Sequence, residues 1–190
     1  MLLDLVTKAR SCRRFDRSLK LNRATLEELV NLGRLAACGR NQQNLRYFIS
    51  TDDAANAAIF PALGWAGYLA DWPGPAEAER PTGYIIVLSH QSSDQVFAAV
   101  DAGLAMQNIL LGAAEKELGA CIITSIKRQS LQTALALDEA WHILYVIALG
   151  KPGEKVVIEP LQAGGDIKYW RDADGVHHVP KRSLQDIIIN

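Results

Sequence analysis

The stretch that decides the fold spans residues 94–124, DQVFAAVDAGLAMQNILLGAAEKELGACIIT. Apolar residues lie on nearly all sides of a helix predicted over residues 94–118, and a short strand is predicted over residues 119–124. A helix of this kind must be covered all round. It therefore either runs through the middle of the core or packs at a subunit interface.

Further elements are predicted on both sides of this stretch from hydrophobic spacing. The predicted helices lie near residues 2–9, over 25–37, from 54 and over 130–137, and the predicted strands over 45–51, 84–89 and 143–149. Thr25 followed by Glu28 forms a capping-box pattern for the second helix, and Gly39 is its expected C-cap.

The end of the chain follows a different pattern. Asp174–Gly175 is a turn dipeptide between residues 167–170 and 176–179, which predicts a hairpin, and residues 184–189 form a final helix or extended arm. Strands that alternate with helices and then a hairpin favour an α/β or α+β sandwich around a sheet. With 190 residues, 49% of them hydrophobic, we expect a single domain.

Composition and motifs also predict the cellular location of the protein. The uncharged apolar run 102–114 is short and contains Gln107 and Asn108, so it is not expected to span a bilayer. The N-terminus lacks the basic region and cleavage site of a signal peptide. Three cysteines without a CxxC pair are typical of reduced thiols. We therefore expect a cytoplasmic protein with no membrane partner.

Charge is segregated along the chain although its net value is only -1. Residues 1–50 hold ten Lys/Arg against four Asp/Glu, whereas residues 51–126 hold two against nine. A locally basic surface attracts anions, either nucleic acid or a cofactor phosphate. The near-neutral total argues against a broad nucleic-acid footprint.

Three polar segments could bind a ligand. Residues 10–16, RSCRRFD, combine arginines, whose donors match phosphate, with a hydroxyl. Residues 39–44, GRNQQN, carry amides that can read the edge of a planar heterocycle. Lys181 and Arg182 form a late basic pair, with Lys151 as a possible helper. The alternatives are a solvated basic stretch, a capping loop and a solvated chain end.

The usual catalytic signatures are absent from the sequence. His177 and His178 are adjacent in a predicted strand, so their side chains point to opposite faces and one metal ion cannot easily bind both. No dinucleotide glycine motif, phosphate loop, GxSxG or recognisable nucleophilic cysteine is present. We therefore assign no catalytic side chain and no metal site, and expect a cofactor to carry the chemistry.

The succession of these segments resembles the nitroreductase family. Residues 10–15 look like its RRSxRxF opening, and residues 35–45, LAACGRNQQNL, resemble its SPSxxNxQPW segment. Residues 101–119 are similar to its central helix, 149–152 to its late strand and turn, and 180–184, PKRSL, to its basic C-terminal segment. No single motif is specific, but their order covers nearly the whole chain.

The resemblance implies an α+β (α/β sandwich) fold, with a central mixed, mostly antiparallel sheet flanked by helices, in an intertwined homodimer. It implies one domain over residues 1–190, whose C-terminal extension from about residue 151 packs on the partner subunit. It also implies non-covalent FMN at the subunit interface, NAD(P)H as electron donor and an electron-poor small-molecule acceptor such as a nitroaromatic or quinone. Nucleic acid is not an expected partner.

The flavin contacts implied by the resemblance are Arg10, Ser11, Arg13, Cys38, Asn41, Gln43, Thr124, Ser125, Lys181 and Arg182. The first three positions would contact the phosphate, ribityl chain and pyrimidine edge, and the last two would complete the phosphate site. Residues 38–43 would reach the flavin from the partner subunit, and residues 124–125 would lie beside its ring. Trp65 and Tyr68 are expected either to wall the substrate pocket or to act as core anchors of their loop.

This sequence departs from the family pattern at several positions. Ala9 stands where many members have an arginine, residues 36–38, AAC, replace Ser-Pro-Ser, and Asn44 replaces a proline. The loop at residues 64–68 resembles a less studied branch, so the substrate is not inherited. Two alternatives stay open: a non-catalytic flavin-binding protein, and a small module that binds anions or nucleic acid.

Overall fold

A computed structural model describes residues 1–189 of the chain. Its α-helices are α1 (Leu2–Lys8), α2 (Arg23–Arg34), α3 (Asp53–Ile59), α4 (Gln95–Glu115) and α5 (Arg128–Ala134). Its strands are β1 (Phe15–Asp16), β2 (Leu45–Ser50), β3 (Gly83–His90), β4 (Gly119–Ile123), β5 (Trp141–Pro152), β6 (Val156–Pro160), β7 (Trp170–Arg171) and β8 (His177–Lys181). Three short 3-10 turns lie at Gly39–Asn41, Phe60–Ala62 and Glu77–Glu79.

The main sheet has five strands in the order β1-β5-β3-β2, and β4 also pairs with β5. Each described strand pair in this sheet is antiparallel. β3 is buried over residues 83–89, as its uninterrupted apolar run predicts. The expected antiparallel sheet flanked by helices is therefore confirmed. The parallel strand pair, β6 with β8, lies in a second sheet.

Alternate residues of β3 supply the two halves of the core, because successive side chains in a strand point to opposite faces. Ile85 and Val87 pack with α2 and α4 on one face. Ile86 and Leu88 pack with α3, α5 and the loop after α3 on the other face. The sheet is thus the middle layer of a three-layer sandwich.

The chain ends in a second sheet of three strands, β6-β8-β7, called here the C-terminal sheet. β7 and β8 form the hairpin predicted at Asp174–Gly175, and Gly175 has the positive φ, +79°, that such a turn requires. The parallel pairing of β6 with β8 was not predicted. Sequence periodicity cannot show it, because the partner strands lie far apart in the chain.

Helix α4 lies close to its predicted bounds of residues 94–118. Its 21 residues and apolar composition are sufficient for a membrane span by length and hydropathy, although half of its most apolar window is buried inside the chain. Within one chain the helix is not covered all round, since Val96, Phe97, Val100 and Leu104 are exposed on its outer face. Of the two expected arrangements of this helix, packing at a subunit interface stays a prediction.

The predicted caps of α2 are wrong at both ends. Asn22, and not Thr25, caps the helix, because its side chain accepts a hydrogen bond from the N–H of Thr25. The helix ends at Arg34, and Gly39 lies beyond it in a 3-10 turn. Asparagine is a strongly preferred N-cap residue, and the helix begins directly after it at Arg23.

Candidate functional site

The arginine segment at residues 10–14 runs along the outer edge of β4. The N–H of Cys12 donates to the carbonyl of Ala120 at 2.9 Å, next to a parallel bridge between Ser11 and Ala120. On the other side, the N–H of Gly153 donates to the carbonyl of Arg14 at 2.8 Å. The segment is therefore fixed by backbone bonds on both sides.

A buried carboxylate adds a third attachment to this segment. Glu154 accepts hydrogen bonds from the N–H groups of Arg13 and Arg14, and from Nη2 of Arg171 at 2.8 Å. Its side chain is only 1% exposed. Glu154 thus joins the arginine segment to the C-terminal sheet, a contact that the sequence analysis did not predict.

Side chains of the arginine segment alternate between two cavities. Arg13 lines a cavity of about 250 Å³, called here the Arg13 cavity, together with Trp65, Thr124 and Ser125. Arg10 lines a different cavity of about 380 Å³. The structure therefore brings together four of the predicted residues and separates Arg10 from them, as the period of two along an extended segment requires.

The guanidinium of Arg13 has unusual neighbours. Its Nη1 lies 3.0 Å from Nε2 of His177, and its Cζ lies 4.5 Å from the ring centroid of Tyr169. Within residues 1–189, no Asp or Glu side chain forms an ion pair with Arg13, whereas Arg14 pairs with Glu79 at 3.6 Å. The positive charge of Arg13 is therefore not neutralised by a contacting carboxylate.

His177 is fully buried, and its neighbours keep it neutral. Burial and the charge of Arg13 lower the pKa of His177 to about 4. Because Arg13 can only donate, Nε2 of His177 must accept, and the ring proton resides on Nδ1. Nδ1 is buried and has no hydrogen-bond partner in the described part of the chain.

His178 lies on the opposite face of β8, as the strand period predicts. Its Nδ1 lies 3.0 Å from Glu159, its Nε2 lies 3.1 Å from Asp172, and its ring stacks on Trp170 at 4.0 Å. These carboxylates raise the pKa of His178. His178 therefore stabilises the C-terminal sheet, whereas His177 contacts Arg13 and Tyr169, two residues that line the Arg13 cavity.

The wall of the Arg13 cavity combines two loops. The N–H of Gly64 donates to the carbonyl of Ser125, and the N–H of Lys127 donates to the carbonyl of Ala62, each at 2.8 Å. A Cβ on Gly64 would lie 2.6 Å from Oγ of Ser125, so a larger residue here would displace the Ser125 side chain. Thr124 and Ser125 are exposed at the end of β4. Their hydroxyls are available to a ligand.

The two aromatic residues predicted to wall a substrate pocket differ in their surroundings. Trp65 lines the cavity but is buried, with its ring 5.9 Å from that of Phe60. It is mainly a core anchor. Tyr68 is half exposed, and its ring lies 5.0 Å from that of Tyr169, whose hydroxyl accepts from the N–H of Tyr68. Tyr169 is a further wall residue that the sequence analysis missed.

The amide segment lies in a different place. Cys38 and Gln43 line a cavity of about 300 Å³ between α2, β2 and α4, called here the Gln43 cavity. Asn41 is exposed beside it, and Arg40, Asn41 and Gln43 all have φ near +50°. Such backbone conformations are costly outside glycine and often occur at functional sites. The N–H of Gly39 donates to buried Asp101 and anchors this loop.

The late basic pair does not meet the arginine segment within one chain. Lys181 ends β8 and is exposed, as is Arg182, and neither lines the Arg13 cavity. Lys151, the possible helper, pairs with Asp16 at 2.7 Å. One chain therefore does not assemble the full set of implied flavin contacts.

The donor groups around the Arg13 cavity fit a flavin. Within residues 1–189, no Asp or Glu side chain pairs with the guanidinium of Arg13, or with that of Arg10, which lies at the other cavity with its Nε buried and without a partner. Thr124 and Ser125 add neutral hydroxyls to the lining of the Arg13 cavity. Guanidinium and hydroxyl donors suit a phosphate and the carbonyl-bearing edge of a planar ring.

Comparison with known proteins agrees with this geometry. The model of the nitroreductase family matches residues 6–151, which is most of the chain, so the chain belongs to the nitroreductase family. Members of this family are oxidoreductases. No curated protein matches the chain. The family resemblance drawn from the ordered motifs is thus confirmed.

Solved structures show the same fold. A nitroreductase family protein from Streptococcus pneumoniae superposes with a TM-score of 0.74 at 14% identity, with 100% of each chain covered. A putative nitroreductase from Desulfovibrio desulfuricans, in complex with FMN, gives 0.68 at 22% identity, covering 100% of this chain and 95% of that one. The NADPH:FMN oxidoreductase of Vibrio harveyi, complexed with NAD+, gives 0.64 at 20% identity, covering 80% and 69%. The predicted nitroreductase-like fold is confirmed.

Proposed function

We propose that this chain is an FMN-dependent oxidoreductase that transfers hydride from NAD(P)H to an electron-poor small molecule such as a nitroaromatic or quinone. The observation that carries the proposal is the Arg13 cavity, where a guanidinium without a carboxylate partner faces Thr124 and Ser125. The FMN bound by the Desulfovibrio desulfuricans protein and the name of the Vibrio harveyi enzyme support flavin binding.

FMN, when bound, would supply the hydride chemistry that no side chain in the cavity provides. Arg13 would stabilise negative charge at the pyrimidine edge of the ring, because its own charge is not neutralised by a contacting carboxylate. Thr124 and Ser125 would donate hydrogen bonds to polar atoms of the cofactor. Buried Trp65 lines the cavity, and half-exposed Tyr68 packs against the lining residue Tyr169, where an acceptor would enter.

A second copy of the chain would complete the site. The exposed face of α4 formed by Val96, Phe97, Val100 and Leu104 is apolar, and a homodimer would cover it. Phe97 of this face packs against Gly39, next to the amide segment. In the proposed dimer, Cys38, Asn41 and Gln43 of each copy contact the flavin of the other, and Lys181 and Arg182 complete a phosphate site. The three free thiols suit a cytoplasmic location.

The absorption spectrum of the purified full chain tests this function. We expect yellow protein with a flavin spectrum, release of FMN on denaturation, and steady NAD(P)H oxidation when a quinone or nitroaromatic is added. Colourless protein that takes up no added FMN would overturn the proposal. Tight FMN binding without NAD(P)H turnover would instead identify a non-catalytic flavin-binding protein.

A further inference from the structure

The partner of Arg13 is chemically unexpected. A buried guanidinium usually meets a carboxylate, because the opposite charge offsets the cost of removing the cation from water. Arg171 follows this rule and pairs with Glu154 at 2.8 Å, with side chains only 11% and 1% exposed. Arg13, on the same cluster of residues, donates instead to the imidazole of His177.

Glu154 is a carboxylate that contacts the backbone of this segment, and both of its oxygens have partners other than the guanidinium of Arg13. One oxygen accepts the backbone N–H groups of Arg13 and Arg14, and the other accepts from Arg171. The carboxylate therefore fixes the backbone of the segment and offsets the charge of Arg171. The side chain of Arg13 instead donates to a neutral acceptor, the imidazole of His177.

We propose that His177 is a positioning residue for Arg13: as a neutral acceptor it holds the guanidinium at the cavity without neutralising its charge. The proposal rests on the proposed function, because the retained charge serves an anionic or electron-rich edge of FMN. A carboxylate at the same position would hold Arg13 equally well but would offset the charge that the cofactor needs.

Two further contacts support this role. The ring of Tyr169 lies 4.5 Å from the guanidinium carbon of Arg13 and 5.1 Å from the ring of His177. Tyr169 is itself held by the hydrogen bond from the N–H of Tyr68. The guanidinium is therefore held both by an in-plane acceptor and by an aromatic face, and neither carries a negative charge.

The neutral state of His177 follows from its surroundings. Burial and the neighbouring charges of Arg13 and Arg171 hold the pKa of His177 at about 4. At neutral pH the imidazole therefore accepts from Arg13 and adds no positive charge of its own. Both His177 and Tyr169 lie beyond the matched segment 6–151, so the C-terminal sheet contributes directly to the site.

The test compares replacements of similar shape and different charge at this position. His177→Gln keeps a neutral acceptor near the place of Nε2, and His177→Glu puts a carboxylate there. His178→Gln is the matched control, because the neighbouring histidine faces the other side of β8. FMN affinity is measured by fluorescence titration of the flavin-free protein, and the flavin midpoint potential by redox titration.

We expect His177→Glu to weaken FMN binding at least about tenfold, as close charged groups at binding sites do, and to make the midpoint potential more negative. His177→Gln and His178→Gln should each stay within about threefold of the wild type in affinity. Equal losses in His177→Gln and His177→Glu would overturn the proposal, because charge would then not matter.

Two further outcomes keep the test decisive. If His177→Glu does not fold, the comparison becomes His177→Leu against His177→Gln, and the proposal requires the leucine variant alone to lose affinity and shift the potential. Wild-type protein that binds no FMN would reject the proposed function itself. Wild-type binding with all variants unchanged would reject only the role of His177.

Discussion

The Arg13 cavity and the Gln43 cavity are built from different groups. The first is lined by a guanidinium, hydroxyls and aromatic rings, and its backbone is fixed by bonds to β4, Gly153 and Glu154. The second is lined by a loop with three left-handed residues and lies beside the exposed apolar face of α4. One chain holds the charged part and the amide part of the predicted flavin contacts in separate cavities, and the proposed second copy would join them.

The largest effect is expected from disrupting the proposed dimer that would join the two cavities. Val100→Asp combined with Leu104→Asp places two carboxylates on the exposed face of α4, where a partner would cover them. We expect the dimer affinity to fall by at least about a hundredfold, since each charge costs free energy when buried unpaired. Size-exclusion chromatography with light scattering should show a monomer that has lost its FMN.

Leu19→Asp is the control, because Leu19 is a similarly exposed apolar residue on another surface. It should remain dimeric and yellow. If the double variant also stays dimeric, the partner does not cover this face of α4. The two copies would then have to bring the two cavities together through another surface.

The next effect concerns the backbone of the arginine segment. A Cβ on Gly153 would lie 2.8 Å from the carbonyl carbon of Phe15 and 3.0 Å from its nitrogen, and backbone atoms cannot move aside. Gly153→Ala should therefore lower the free energy of unfolding by roughly 1–3 kcal/mol in urea titrations. Gly67→Ala, where nothing lies within 4 Å of the new Cβ, should change it little. Matching losses in both would mean that this close approach does not support the segment.

A smaller effect is expected in the Gln43 cavity. Gln43→Leu removes an amide that lines the cavity, whereas Gln42→Leu removes an exposed one. Loss of one or two neutral hydrogen bonds should weaken FMN binding roughly 3- to 10-fold for Gln43→Leu. Gln42→Leu should match the wild type in the same fluorescence titration. The reverse order would remove the amide segment from the site.

The smallest effect is a pair of opposite pH dependences on the two faces of β8. The folded pKa of His177 is depressed to about 4, so the unfolded chain binds more protons below pH 6.5 and stability falls as the pH decreases from there to 4. The folded pKa of His178 is raised by Asp172 and Glu159. The stability that His178 contributes is fully present below pH 6.5 and is lost as the pH rises through the pKa of His178 in the folded chain.

Urea unfolding across pH 4–9 separates the two histidines. His177→Gln should reduce the loss of stability on the acid side alone. His178→Gln should reduce the loss on the neutral-to-alkaline side alone. Identical pH profiles for the two variants would contradict the assignment of the imidazoles to opposite environments.

Much of the fold could be predicted from local sequence. The continuous apolar runs of β3 and β5 mark buried strands, and the turn dipeptide at Asp174–Gly175 marks the hairpin. The family resemblance implied that Arg13, Thr124 and Ser125 contact one flavin, and the three residues line one cavity because the segment that bears Arg13 runs beside β4, which leads directly into residues 124–125. Their contacts with a flavin stay a prediction.

The missed residues depend on contacts between distant parts of the chain. Glu154, Tyr169 and His177 reach the arginine segment only because β6, β7 and β8 fold back on it, and their sequence separation from Arg13 exceeds 140 residues. The separation of Arg10 from Arg13 could have been foreseen from the period of two in an extended segment. The contacts of Lys181 and Arg182 with a flavin phosphate stay a prediction.

Flavin retention by two arginine variants tests most directly whether Arg13 supplies an unneutralised charge to bound FMN. Arg13→Ala and Arg23→Ala are purified in parallel, since Arg23 is exposed in an ion pair with Glu27 on α2. We expect Arg23→Ala to retain FMN like the wild type and Arg13→Ala to bind it at least about tenfold more weakly. Equal FMN affinity in the two variants, with both folded, would contradict the account.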